Sequence, residues 1–364
     1  MSKFSRNYGI DILRIVSILG VVFLHVLGHG GFLKAAQSLP DFSLVWFLEI
    51  LAYPAVNCFV LISGYVGYRG AKAYPRLKNM ISLLFIVLFY SIGIALFFKL
   101  LYPANVGLLS VLKACLPTIT KQYWFFTAYF GMMLLSPLLN VAVYSGSKKQ
   151  LFIYAAVFTL LSGLSLLKDS FSLLEGYSVI WFVLLYTLGA IIKKYDLTEI
   201  FSGKICILVI TAAFFITWLS KTILHFAPIS VLQKFDDVFV SYTSPTIVLM
   251  AVGLLCLFSK ISFQNPPVSL IAFFSSSAFS VYLIHDNTFV RKYLISTLSG
   301  FASQYSTAAL ALFIIGAVLG VFLSCVLIDK IRIALFNMCR ADKIAENMES
   351  AIKKTIQWMY ERLT

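Results

Sequence analysis

The sequence predicts an all-α integral membrane protein of about ten transmembrane helices, with both termini cytoplasmic and an amphipathic C-terminal helix. Three observations predict it. Hydrophobic residues make up 60% of the 364-residue chain and charged residues only 12%, against roughly 25% charged in a soluble domain. Mean hydropathy is +0.91. Apolar runs of the length that crosses a bilayer, about 20 residues, recur along almost the whole chain.

Those runs fall at roughly 9–28, 43–66, 80–101, 122–142, 150–167, 177–193, 203–224, 243–259, 268–290 and 305–331. The first carries Asp11 and Arg14 and has no small-residue cleavage site after it, so it is expected to stay as a span rather than leave as a signal peptide. The second is interrupted by Pro54 and by polar Asn57 and Ser63, which predicts a kink or a break. The run 106–116 is too short to span and is expected to be interfacial or re-entrant. Setting Arg14 aside, nineteen Lys and Arg fall at the N-terminus, in the even-numbered loops and in the tail, and nine on the other side. The positive-inside rule then places both termini in the cytoplasm, Arg14 near the inner surface and His25 in the outer half of the bilayer. Beyond the last span, Ile344, Met348, Ile352 and Ile356 recur every fourth residue among charges. This predicts an amphipathic helix that lies on the inner leaflet or pairs with a second copy in a homodimer. The expected domains are a transmembrane unit over 1–335 and a cytoplasmic helical tail over 336–364.

The net charge of +14 does not point to nucleic acid, because the basic residues are spread through short loops between apolar runs. It suits anionic membrane lipids or a phosphorylated ligand at the inner face. The six cysteines are scattered, mostly within apolar runs, with no CxxC and no Cys/His cluster. They read as small apolar residues, and no metal site is expected.

Several stretches carry polar chemistry where it is costly. In the first span, Arg14 and His25 are eleven positions apart, which returns them to within about 20° of one helix face with a rise of about 16 Å. Asp11 lies one turn before Arg14, within pairing reach. Charge inside a span points to function by default. Asn57 to Tyr65, NCFVLISGY, places small and polar residues, Ser63 among them, in an apolar run. Arg69, Lys72, Arg76 and Lys78 follow it within ten residues on the inner side. Tyr123 and Trp124 open an aromatic cluster at an outer interface, ahead of Ser136-Pro137. Ser280 to Asn287, SVYLIHDN, sets His285 in a late span, with Asp286 after it. Glu49 is an isolated acid in the second span. Each has a plainer reading: His25 or His285 as a helix-contact residue, Arg14 as a snorkelling anchor, Asp11 as its partner only, the basic loop as a topology signal, and Tyr123 and Trp124 as aromatic belt. His29 reads as the outer helix end, and His225 has no supporting pattern.

The motifs Asp11-x-x-Arg14 with His25, NCFVLISGY, Arg76 with Lys78, Tyr123-Trp124 before Ser136-Pro137, and Tyr282 to His285 occur in that order over about residues 8–290. In this the sequence resembles the bacterial membrane-bound acyltransferases of acyltransferase family 3. Cys58 stands where that family often has an aromatic residue. The resemblance implies transfer of an acyl group, usually acetyl, from cytoplasmic acyl-CoA to a carbohydrate hydroxyl outside the bacterial cytoplasmic membrane. The acceptor would be a polysaccharide or lipid-linked glycan. Some members carry an extra hydrolase-like domain; here the membrane domain is expected to complete the transfer itself.

The residue types suit that chemistry. A sugar hydroxyl is a poor nucleophile, and a histidine can take its proton during attack or carry the acyl group itself. The several phosphates of CoA suit clustered Arg and Lys. The expected catalytic set is His25, Arg14 and Asp11. The expected donor set is Arg69, Lys72, Arg76, Lys78 and Ser63, with acetyl-CoA as donor. Glu49, Asn57, Tyr123, Trp124 and His285 are the acceptor-side candidates. Intramembrane charge also marks proton-coupled transporters, although no paired repeats with matching broken helices are visible. An acyltransferase acting on a lipid or small metabolite would share the same donor site.

Overall fold

The computed structural model describes residues 6–71, 77–166, 168–263, 265–302 and 305–363. Every regular element among the described residues is a helix. The principal ones are α1 (Tyr8–His29), α2 (Leu39–Ala52), α3 (Ala55–Gly67), α4 (Leu77–Leu101), α5 (Trp124–Ser145), α6 (Lys148–Ser165) and α7 (Val179–Lys194). They continue with α8 (Gly203–His225), α9 (Pro245–Ser259), α10 (Val268–Ser275), α11 (Ala278–His285), α12 (Thr307–Met338) and α13 (Ala341–Leu363). Seven segments among the described residues are long and apolar enough to cross a membrane: α1, the α2–α3 pair, α4, α5, α8, the α10–α11 pair and α12. The other three expected runs are occupied by α6, α7 and the shorter apolar α9.

Helix α1 is the hub. Asn7 caps it, accepting from the Ile10 backbone N–H at 3.2 Å and donating to the Ser259 carbonyl at 2.8 Å, which ties the helix start to the end of α9. It packs against α2, α3, α9, α10, α11 and α12. Leu13, Ile18, Val22 and Leu27 are fully buried within it. The peripheral helices turn Leu208, Ile223, Leu312 and Leu327 outwards, the surface a lipid-facing helix presents.

Two breaks shape the interior. At Pro54, α2 stops and α3 restarts, because proline cannot donate into the helical ladder. The run 268–290, expected as one span, is instead two helices broken at Ser276–Ser277. Lys330 on α12 staples that break, donating to the Ser277 hydroxyl at 2.9 Å. The short run near 106–116 forms a single short helix, Leu108–Ala114. Helix α12 runs on to Met338, so the boundary expected at 335 falls inside a helix. Helix α13 packs along α4, and Lys78 on α4 binds Glu346 at 2.5 Å. The Lys78 ammonium holds the Glu346 carboxyl below its usual range. Ile344, Met348, Ile352 and Ile356 remain exposed along α13.

Helices α3 and α7 meet backbone to backbone. A Cβ on Gly64 would lie 2.0 Å from the Tyr186 carbonyl oxygen, and one on Gly189 would lie 2.3 Å from that of Leu61. Small residues permit such close approach in membranes. Gly64→Val must therefore push the two helices apart. The expected cost is at least the ~1–3 kcal/mol of an overpacked core, read as a lowered thermal midpoint in detergent.

Candidate active site

The polar face of α1 is the wall of two joined cavities. The larger, about 800 Å³, opens at the Arg14 end of the bundle and is lined by Arg14, Arg69, Lys78, Asn140 and Asp342 among others. The smaller, about 240 Å³, runs from Arg14 to His25 between α1, α3, α5 and α11, with Trp124, Phe125, Ser276 and Tyr282 in its wall. Arg14, Ser63, Leu83 and Tyr129 line both and form the neck between them. Across that neck, Ser63 and Tyr129 share a hydroxyl hydrogen bond of 3.0 Å.

Asp11 is buried and sets the arginine. One carboxylate oxygen binds Arg14 and the other accepts from Arg6 Nε at 2.5 Å. The buried carboxylate thus holds Arg14, which lines both cavities. Lys72 and Arg76 lie outside the described residues.

At the other end, His25 meets two groups from outside its own helix. Its Nδ1 lies 2.9 Å from His285 Nε2, and His285 Nδ1 lies 2.5 Å from the Val281 carbonyl oxygen. A carbonyl only accepts, so the proton of neutral His285 sits on Nδ1 and its Nε2 accepts. His25 must then donate from Nδ1. That leaves Nε2 of this cavity-lining ring as the basic nitrogen. The bonding partners, rather than observed hydrogens, make this assignment. Asp286 Oδ1 stands 3.5 Å from His25 Nδ1, 3.8 Å from His29 Nε2 and 3.5 Å from Arg291. Burial raises the Asp286 carboxyl above its usual range, while Arg291, His285 and His29 pull it back. A histidine with a free basic nitrogen at a cavity and a buried acid beside its other nitrogen is an arrangement able to serve a general base, with the acid stabilising its cation.

His25, His29 and Asp286 each offer an atom within 4.8 Å of the others, close enough to hold a metal ion. Arg291, however, already lies 3.2 Å from His29 Nε2 and 3.5 Å from the same Asp286 oxygen. A dication would have to share that oxygen with a guanidinium, so the donor set fits a metal poorly.

The acceptor-side candidates divide. Trp124 lines the His25 cavity. Asn57 is fully buried with both its amide nitrogen and oxygen bonded, donating to the Tyr242 carbonyl at 2.8 Å and accepting from Trp181 Nε1 at 3.2 Å. Tyr123 is likewise buried, and its hydroxyl accepts from Asn287 at 2.8 Å, steadying the residue after Asp286. These two position other groups. Glu49 lies outside the lining of both cavities, and its Oε2 is buried without a hydrogen-bond partner.

Sequence reasoning missed His29, Arg291 and Tyr129 as parts of the site, and named Asp286 only as a neighbour of His285. His29 carried a signal, since i and i+4 share a helix face. Arg291 read as an ordinary loop cation, and nothing local marks Tyr129.

Comparison with curated proteins and with solved structures found no match. The family described as "Acyltransferase domain", acyltransferase family 3, matches residues 7–329, which contain every cavity-lining residue named above except Asp342. The chain belongs to acyltransferase family 3 and is a multi-pass membrane acyltransferase.

Proposed function

We propose that this protein is a transmembrane O-acyltransferase of the bacterial cytoplasmic membrane. It moves an acyl group, acetyl in the first instance, from cytoplasmic acyl-CoA to a hydroxyl of a cell-surface polysaccharide sugar or its lipid-linked precursor. The observation that carries the reading is the pair of joined cavities, with cations at one end and His25 at the other.

In this reading Arg69 and Lys78, with Lys72 and Arg76 between them in sequence, take the CoA phosphates, which suit clustered guanidinium and ammonium groups. Lys78 gives up Glu346 to do so. Arg14 grips the donor at the neck, and the pantetheine arm threads past Ser63 and Tyr129 towards His25. The acceptor hydroxyl then gives its proton to His25 Nε2 as its oxygen attacks the thioester carbonyl. The new C–O bond forms, the C–S bond breaks, and the proton held on Nε2 passes to the departing thiolate. Asp286 steadies the imidazolium between those two transfers. The Tyr282 hydroxyl, in the cavity wall beside Asp286, donates to the oxyanion.

The test is acyl transfer by the purified full chain in liposomes, with labelled acetyl-CoA and a glycan acceptor. Label in the glycan supports the reading. Movement of a metabolite or glycan across the bilayer with acetyl-CoA intact would replace it with transport, and label in lipid would move the acceptor class. Label that accumulates on the protein before acceptor is added would make His25 an acyl carrier rather than a base. In the same assay Arg14→Ala is expected to raise the donor KM about 10- to 150-fold, from the ~1.5–3 kcal/mol of a hydrogen bond to a charged group. The acceptor KM should stay unchanged.

A further inference from the structure

We propose that the loops at the His25 end form an aromatic platform for a neutral sugar ring, which selects neutral over acidic acceptors. The proposal rests on the O-acyltransferase reading above and names its acceptor class.

Trp124, in the wall of the His25 cavity, opens onto a group of tyrosines. Its ring centroid is 4.4 Å from Tyr177 and 6.1 Å from Tyr242, the latter nearly parallel at 23°. Tyr242 in turn lies 5.3 Å from Tyr177 and 4.9 Å from Tyr53. Tyr177, 44% exposed, is the open edge, and Tyr242 is buried. The Asn57 amide, bonded to the Tyr242 carbonyl, fixes the backbone behind this group.

Carboxyl groups act on these rings from nearby. Glu49, 7% exposed and with an unpartnered Oε2, and Glu175 both lie within electrostatic reach of Tyr53 and Tyr177. Asp237 also reaches Tyr53, but Lys221 binds it at 2.8 Å. Among the described residues no ion pair involves Glu49 or Glu175.

The segment that presents Glu175 and Tyr177 is held in a costly conformation. Ser172, Leu174 and Glu175 have φ of 53°, 51° and 53°, a region non-glycine residues seldom enter. The Asp169 carboxylate holds them there, accepting from the Leu173 and Leu174 N–H groups at 2.7 Å each. Strain of this kind persists where the surroundings enforce it, and it clusters at binding sites.

Aromatic faces beside the exposed Glu175 carboxylate match a pyranose. Its C–H face packs on a ring while a hydroxyl donates to Glu175. An acyl chain would set hydrocarbon against that carboxylate. A uronate or phosphorylated sugar would meet like charge at Glu175.

The full chain, purified in detergent, is titrated by calorimetry with cellohexaose, hexagalacturonate and acetyl-CoA. Wild type is expected to bind cellohexaose at least about tenfold more tightly than hexagalacturonate. Tyr177→Ala should weaken cellohexaose about tenfold while leaving acetyl-CoA binding unchanged, Tyr177→Phe should bind as wild type does, and Glu175→Gln should narrow the neutral-to-acidic gap. Equal cellohexaose binding by wild type and Tyr177→Ala overturns the platform. So does tighter binding of hexagalacturonate, or no hexaose binding by a protein that binds acetyl-CoA. A protein that binds cellohexaose as expected but not acetyl-CoA keeps the platform and overturns the donor reading.

Discussion

His25→Ala is expected to lower acyl transfer about 10²- to 10⁴-fold, the usual share of a positioned general base. The fall should appear in kcat, with the donor KM little changed, because the cations proposed to hold the donor line the cavity at the Arg14 end. Liposome assays at matched protein amounts measure both constants. The substitution removes a ring that is only partly buried and that bonds to His285, so the helix core around Leu24, Val26 and Leu27 stays intact. His25→Gln sharpens the test, since an amide can keep a bond to His285 but cannot take a proton at neutral pH. Transfer at the wild-type rate in either variant would remove His25 from the chemistry and leave the joined cavities without a base.

The helical architecture was legible because each apolar run needs only composition and length to be read. The Pro54 break was legible for a local reason, the missing backbone donor. The break at Ser276–Ser277 was not, because a serine run is tolerated inside a membrane helix and the staple comes from Lys330, 53 positions away. The Arg14–His25 face followed from the 3.6-residue period alone. What no period could supply is the pairing of His25 with His285, 260 positions apart. Polar residue type was visible at Asn57 and Tyr123, but their partners, Tyr242 and Trp181 for one and Asn287 for the other, arise only in the folded bundle. Their shift from contact candidates to positioning residues therefore required coordinates. The cations at the Arg14 end are the opposite case. A charge needs no partner to be read, and Arg69, after α3, and Lys78, on α4, line the large cavity.

Asp286→Asn probes the part of the site that sequence reasoning left aside. In a serine-protease triad the acid both fixes the tautomer of the histidine and stabilises its cation. Here the first task belongs to His285 and the Val281 carbonyl, so an amide at position 286 should leave the tautomer alone and remove only the charge. Two unit charges about 4 Å apart interact with about 4 kcal/mol at an effective dielectric of 20. Part of that is offset by Arg291 on the same oxygen. The expected result is a fall in kcat of about 10²- to 10³-fold, with both KM values held and folding preserved, since Arg291 keeps access to solvent. Asp286→Glu should recover part of the rate by restoring the charge. His285→Ala makes the complementary break, removing the acceptor of the His25 proton and leaving Asp286 as its nearest substitute at 3.5 Å. If the two acted independently, the double variant would lose the product of the single losses. If they act on one imidazole, as the geometry has them, it should lose less. Measuring kcat in this double-mutant cycle separates those outcomes.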